Sequence, residues 1–347
     1  MKQNKIEKAM KNIKLAIKSN KREAFNHYIQ GLLYQELQDF DASIKSFKNF
    51  LLLNGNSNQI DTVRRAKFNI AICYFTLRNY SKGIKYYRFR HKRHILDLYK
   101  DIPLWTPETQ KGRVLIWAEQ GIGDEIFFFR FLKLLEFFDH EFYLQCDIRL
   151  HHVISINYPS INLLDRSEGK PKSNFDYNLP LGDLFTYFYD RMPEIDYPYL
   201  RIPIGENIKA ISEKYRNKEL VGISWRSLNP DYIKQRSVAV DRVCKGLNPD
   251  KTALVNLQPS FLDKEIQQLE NIGFSVISEF DNKSNIKAVL QLISICKRVV
   301  TIDNAVVHFA GALGVDTSLL IIDDLTWRWG TNFKRSDLYP SVEIVRS

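Results

Sequence analysis

Cysteine is scarce and dispersed: Cys73, Cys146, Cys244 and Cys296 are the only four in 347 residues, and no two stand at a paired spacing. That excludes a disulfide framework and a closely spaced zinc-thiolate site, and it leaves four reduced core side chains as the expectation. Long uncharged apolar runs are missing as well. The two longest apolar stretches, 125–138 and 299–322, are interrupted by Arg130 and Lys133 and by Asp303, His308 and Asp316, so no span of about 20 residues suited to a bilayer is expected. The lysine-rich N-terminus lacks the apolar core and small-residue cleavage site of a secretion signal, so the expected compartment is the cytoplasm. There is no P-loop, no Gly-x-Ser-x-Gly and no Cys/His cluster with zinc spacing. The only Asp-x-Asp, Asp39–Phe40–Asp41, falls in a turn between two expected helices, and no metal is expected there.

What is present is enough apolar material, 44% of residues with 13% aromatic, to build two or three cores rather than one. The charge is lopsided. Residues 1–100 hold 21 Lys and Arg against 7 Asp and Glu, a balance of +14 within a net +10 for the chain. Such a basic surface suits an acidic protein, an anionic membrane face or nucleic acid, or it is simply a solvated helical face.

The basic third repeats itself. Ile6, Met10, Ile13 and Ile17 recur 34 positions later as Phe40, Ile44, Phe47 and Leu51, and Tyr34, Leu37, Phe40, Ile44 and Phe47 recur 40 positions later as Tyr74, Leu77, Tyr80, Ile84 and Tyr87. The longer offset fits a polar insertion at residues 54–58. Apolar residues three and four apart form a stripe that one hairpin cannot bury alone, so two stacked hairpins with a preceding helix are predicted.

From residue 113 the period changes. Arg113–Glu119, Glu141–Cys146, Ile161–Leu164 and Tyr177–Leu181 read as strands, with one long helix predicted over Asp124–Phe137. A second series, Leu220–Trp225, Ala253–Leu257, Phe274–Ser278, Val299–Ile302 and Ser318–Ile322, alternates with helices at 264–271, 286–297 and 305–313. Alternation of this kind implies parallel sheets covered by helices, here two Rossmann-like halves facing a cleft.

Three segments at expected strand ends could carry chemistry. Gly121 and Gly123 lie between a strand and a helix, and Asp124 beside them is either a general base for a hydroxyl or a helix cap. The segment Val221–Ser227 is followed by Arg236 and Ser237. Arg236 could neutralise a departing phosphate or be a solvated loop cation. Asp303 and Asn304 launch a small-residue helix whose amides could bind an anion, and His308, one turn in, lines the cleft or packs. Gly311 and Ala312 are expected to permit close packing.

In order, Glu119–Gln120–Gly121–Ile122–Gly123–Asp124, Phe175–Leu181, Val221–Trp225, Arg236–Ser237, Leu257–Gln258, Ile302–Gly314, Trp327–Trp329 and Tyr339–Ser341 resemble a known set. The chain resembles, over nearly its whole length, bacterial tetratricopeptide-repeat proteins with a C-terminal GT-B glycosyltransferase-like domain related to the heptosyltransferases. The small-residue position of the repeat is occupied by Gly31 and Ala71 and its turn aromatics by Phe40 and Tyr80.

The resemblance implies an α plus α/β chain: tetratricopeptide-like hairpins over 1–100, an acceptor-side Rossmann-like half over 101–204 and a donor-side half over 205–347. It further implies metal-independent inverting transfer from a nucleotide-sugar, with no other cofactor. Asp124 would be the base. Gly121, Gly123, Trp225, Arg236, Ser237, Gln258, Asp303, Asn304 and His308 would surround the donor. The basic hairpins would recruit a protein or glycan acceptor, and residues 86–111 lead from them straight into the strand before Asp124.

Three departures stand out: Asn304 replaces the commoner threonine, Arg226 occupies a position usually small, and the sequence ends at Ser347 without the closing helices, which implies weaker domain closure or activity. They motivate an alternative, a non-catalytic adaptor built on a degenerate GT-B body. Nucleic acid is not an expected partner, because no recognised binding module accompanies the basic charge.

Overall fold

A computed structural model describes residues 2–55, 59–90, 98–228, 233–322, 326–331 and 333–346. Of the features above, Asn56–Ser57–Asn58 in the polar insertion and residues 91–97 of the connecting stretch 86–111 lie outside the described residues. The chain divides into two units, Met1–Leu98 with Leu325–Asn332, and Tyr99–Asp324 with Phe333–Ser347.

The first unit is helical: α1 (Lys2–Ser19), α2 (Ala24–Glu36), α3 (Phe40–Asn54), α4 (Ile60–Thr76) and α5 (Tyr80–Tyr87). Helices α2 and α3 form one hairpin, α4 and α5 another, and α1 packs on α2. Both hairpins turn through a non-glycine residue in the left-handed region, Gln38 at φ 61° and Arg78, 40 residues on, at φ 60°. The bonds around them also recur. Leu37 N donates to Leu33 O (3.1 Å) and Asp39 N to Tyr34 O (2.9 Å), while Leu77 N donates to Cys73 O (3.1 Å) and Asn79 N to Tyr74 O (2.8 Å). These close the carbonyls left open at each helix C-terminus.

The stripe Phe40, Ile44, Phe47 and Phe50 is buried, each side chain stabilising the hairpin by roughly 1.5–3 kcal/mol. Gly31 is required opposite it, because a Cβ there would stand 2.7 Å from the Phe47 ring. Residues 326–331, remote in sequence, complete the apolar face of α4 and α5. Trp327 packs 5.0 Å from the Phe75 ring, and Arg78 donates through Nη1 to Trp327 O (2.7 Å) and through Nη2 to Arg328 O (3.1 Å).

The second unit holds two parallel sheets in series. The first comprises β1 (Arg113–Trp117), β2 (Glu141–Cys146), β3 (Asn162–Asp165) and β4 (Tyr177–Pro180), in the order β3-β2-β1-β4. The second comprises β5 (Glu219–Ser224), β6 (Thr252–Asn256), β7 (Ser275–Ile277), β8 (Arg298–Ile302), β9 (Thr317–Ile321) and β10 (Val342–Arg346), in the order β10-β9-β8-β5-β6-β7. Counted from β5, that is the 3-2-1-4-5-6 order of a dinucleotide-binding sheet, and the first sheet repeats its 3-2-1-4 part. Central strands such as Leu220–Ser224 and Thr252–Asn256 are buried throughout, as parallel strands covered on both faces must be. All four cysteines are buried free thiols, and burial pushes the thiol of Cys73 up to about 11 and that of Cys296 up to about 12.

Two expectations are corrected. The single helix over Asp124–Phe137 is instead α6 (Ile122–Phe129) followed by a tighter 3-10 turn at Leu132–Phe137. The cause lies at Arg130, whose Nε captures Phe127 O (2.9 Å), so Phe131 N bonds Phe128 O (3.0 Å), three residues back rather than four. The second sheet has a sixth strand, β10, absent from the sequence reading. Its alternating buried and exposed residues suit an edge position.

Candidate functional site

Ligands of open α/β sheets bind beyond the carboxyl ends of the strands, where the strand order reverses. In the first sheet that point lies between β1 and β4, and the loop leaving β1 carries Gln120–Gly121 into α6. Asp124 sits in the first turn, half-buried, and its Oδ2 accepts Gly121 N at 3.2 Å. The geometry supplies the capping role directly. Gly121 has φ −75° and ψ 164°, so its glycine identity is not needed for backbone freedom.

Gly123 is different. A Cβ there would lie 2.9 Å from His308 Cδ2 and 3.3 Å from Ala305 Cα. Its missing side chain lets α6 meet α7 (Ala305–Ala312), which opens behind β8 in the second sheet. The rest of this seam is aromatic. His308 is buried, with Nδ1 2.9 Å from Tyr339 Oη and its ring 6.3 Å from Phe127. Gly311 admits the Tyr339 ring, which a Cβ would meet at 2.5 Å. Arg130, also buried, donates to Leu338 O (2.7 Å) and lies over the rings of Phe127, Tyr199 and Tyr339. Of the two readings of His308, the geometry favours packing.

At the second sheet's switch point, between β5 and β8, the expected residues converge. Asn304 caps α7 by accepting Val306 N (2.9 Å) and donates to Ser224 Oγ (2.8 Å). Ser224 Oγ donates to Gln258 Oε1 (3.0 Å), which also accepts Trp225 N (3.1 Å) and Arg226 N (3.0 Å), while Gln258 Nε2 donates to Arg226 O (2.9 Å). Gln258 is fully buried, and its amide thereby fixes the strand ends. Trp225 is a core residue whose Nε1 donates to Glu265 Oε1 (3.1 Å), and Arg226 pairs with the same carboxylate. Arg236 lies 3.3 Å from Asp303 Oδ2 and donates to Asp303 O (3.4 Å), so the loop cation and the strand-end carboxylate form a pair. Ser237 Oγ accepts Ser227 N (3.1 Å) and holds the two ends of that loop together. The side chains of Lys234 and Gln235 lie outside the described residues.

The chain is similar to glycosyltransferases. Among solved structures it is similar to the glycosyl transferase family 9 protein from Veillonella parvula, at 12% identity over 70% of this chain and 89% of that one, with a TM-score of 0.47. It is similar to E. coli ADP-heptose LPS heptosyltransferase II, at 11% over 67% and 90%, TM-score 0.48, and to NodZ alpha-1,6-fucosyltransferase co-crystallised with GDP, at 12% over 60% and 94%, TM-score 0.37. No protein-family model and no curated protein matches the chain.

Sequence reasoning passed over a charged cluster on the first sheet's carboxyl edge. Glu125, 1% exposed, accepts Asp147 N (3.0 Å) and pairs with Arg166. Arg166 also reaches Asp147 Oδ2 (3.2 Å) and Gln120 O (3.0 Å), and Arg149 holds Asp147 through two bonds (2.8 and 2.7 Å). Burial raises the Glu125 carboxyl to about 7, outweighing the Asp147 amide and the Arg166 guanidinium, which both pull it down. Hydrogen bonding from Arg149 holds Asp147 below its ordinary value. The available signal was position: Asp147 directly follows β2, Arg166 directly follows β3, and Glu125 is an acid amid the buried run Ile126–Phe129.

Proposed function

We propose that the chain is a glycosyltransferase of GT-B type that transfers a sugar, with inversion and without a metal, from a nucleotide-sugar to a protein or glycan acceptor. The observation that carries this reading is the Gly123 contact, which brings the helix start bearing Asp124 against the helix start behind Asp303 and Asn304. Two Rossmann-ordered sheets thus contribute their ligand-binding edges to one place. An acceptor hydroxyl would attack the anomeric carbon while Asp124 takes its proton, and the bond to the nucleoside diphosphate would break with its electron pair on the departing phosphate. Arg236, held near the β8 end by Asp303, would offset the charge growing there. The hairpins, read as tetratricopeptide-like repeats, would recruit the acceptor through the +14 balance of residues 1–100.

Calorimetry against a panel of nucleoside diphosphates and their sugar conjugates is the first test, and no heat with any of them would overturn the reading. The variant Asp124→Asn should keep nucleotide affinity and abolish transfer, while full retained transfer would remove Asp124 as the base.

One observation favours a second reading, a non-catalytic adaptor: Asp124 is engaged as a cap and Arg236 as a partner of Asp303. In that case a protein captured stoichiometrically by the hairpins would bind equally well to Asp124→Asn and Asp303→Asn variants.

A further inference from the structure

The peptide unit joining Gln120 to Gly121 is gripped at both ends. Its N–H points to the Asp124 carboxylate (3.2 Å) and its carbonyl accepts Arg166 Nη1 (3.0 Å). Arg166 is in turn held by Glu125 and by Asp147 Oδ2 (3.2 Å), and Glu125 accepts the amide of Asp147 (3.0 Å). One buried carboxylate therefore connects the loops leaving β1, β2 and β3, and Asp124 receives its amide hydrogen bond only while that peptide keeps its orientation. We propose that Glu125 is a positioning residue: through Arg166 and the Asp147 amide it fixes the Gln120–Gly121 peptide, and so the orientation of the Asp124 carboxylate. This rests on the glycosyltransferase reading for its functional consequence, though not for its geometry.

The charged and titratable groups facing Glu125 are Arg166 from the loop after β3, Asp147 from the loop after β2, Glu119 from the loop after β1, and Cys146, whose thiol is raised by burial and by Glu125 itself. Arg149 stands behind Asp147. Burial leaves the carboxyl titrating at about 7, well above its solvated value. A group that ionises more readily once the loop opens favours the open form as pH rises. The clamp is therefore tighter at pH 6 than at pH 8, and it works through hydrogen-bond acceptance more than through charge.

The test is hydrogen exchange at the Gly121 amide in full-length Glu125→Ala, Glu125→Gln and Arg166→Met, corrected for intrinsic rates, alongside ADP or GDP affinity and transfer kinetics. In Glu125→Ala, Gly121 should exchange about 10-fold faster and kcat should fall by about 10-fold, the size expected for one charge-assisted hydrogen bond, with nucleotide affinity unchanged. Glu125→Gln, which mimics the protonated acid, should keep Gly121 protected and lose the acceleration that the wild type shows between pH 6 and 8. Arg166→Met should behave like Glu125→Ala and stands in for it if the alanine variant fails to fold. Unchanged protection in the folded Glu125→Ala and Arg166→Met variants would overturn the proposal, as would a Glu125→Gln variant as open as Glu125→Ala. If the wild type transfers no sugar from any donor, the glycosyltransferase reading falls, and the exchange data still decide the positioning role.

Discussion

The carboxyl edges of the two sheets are built from opposite materials. The second edge is built around a neutral amide and hydroxyl network, Asn304 to Ser224 to Gln258, with Asn282 Nδ2 donating to Asn256 O (2.7 Å), joined by two separate ion pairs, Arg236 with Asp303 and Arg226 with Glu265. The first is an alternation of charges, Glu125, Arg166, Asp147 and Arg149. Neutral networks are satisfied at any pH, and their cost lies in leaving a buried group unpaired. Charged ones carry a desolvation cost and so respond to protons. Rigidity is thus concentrated at the proposed donor edge and proton sensitivity at the proposed acceptor edge.

The contrast breaks most sharply at Gln258. Its Oε1 accepts two buried donors and one half-buried one, so Gln258→Ala should cost roughly 3 kcal/mol, measured by denaturant unfolding and with no pH dependence. A smaller neutral-edge loss than this would mean that the network relaxes around the gap.

Next in size is the pH response of the first edge. Glu125 has a folded-state value of about 7 against an ordinary 4.5. Below the lower value it is protonated in both states and its contribution is fully present. As pH rises the unfolded chain ionises first, so stability should fall by at most about 1.4 kcal/mol per pH unit until the folded carboxyl also ionises. Glu125→Gln should remove that slope, which urea unfolding between pH 5 and 8 would reveal. An unchanged slope would place the titrating group elsewhere.

The smallest contrast compares two glycines of one turn. Gly123→Ala should cost about 1–2 kcal/mol, because the new methyl meets the His308 ring and the Ala305 backbone. Gly121→Ala should stay within about 0.5 kcal/mol, since its Cβ would meet only Asp124 Oδ2 at 3.5 Å. Thermal unfolding of the pair gives the comparison directly.

These particulars also show what the chain makes legible. Periodicity exposes the hairpins and nine of the ten strands among the described residues, because burial of a stripe or a continuous apolar run leaves its mark locally. The turns at Gln38 and Arg78 are equally local, and they recur at the offset read from the apolar stripes. Of the residues converging on β5 and β8, the segment Val221–Ser227 and the pair Asp303–Asn304 are found by their positions at strand ends, whereas Gln258 enters only through the family resemblance. What stays hidden depends on partners far away in sequence. Arg130 ends α6 by turning back on Phe127 O and reaching Leu338, more than 200 residues distant, and nothing near residue 130 announces that carbonyl. Glu125 looks like the neighbour of a candidate base until Arg166 and Asp147 are folded onto it. Gly123 reads as a loop glycine, although its function is to let another helix approach.

The Trp327 segment has a consequence for biosynthesis. The helical hairpins leave the ribosome before the α/β unit, yet Phe75 and Tyr87 receive their covering ring, at 5.0 and 6.4 Å, from a residue made more than two hundred positions later. The emerging hairpins therefore carry an uncovered aromatic face throughout synthesis of the α/β unit. A fragment cut after Leu98 would keep that face permanently. Adding a peptide of residues 325–332 to such a fragment should protect it from proteolysis, making this short stretch a late-arriving seal on hairpins made well before it.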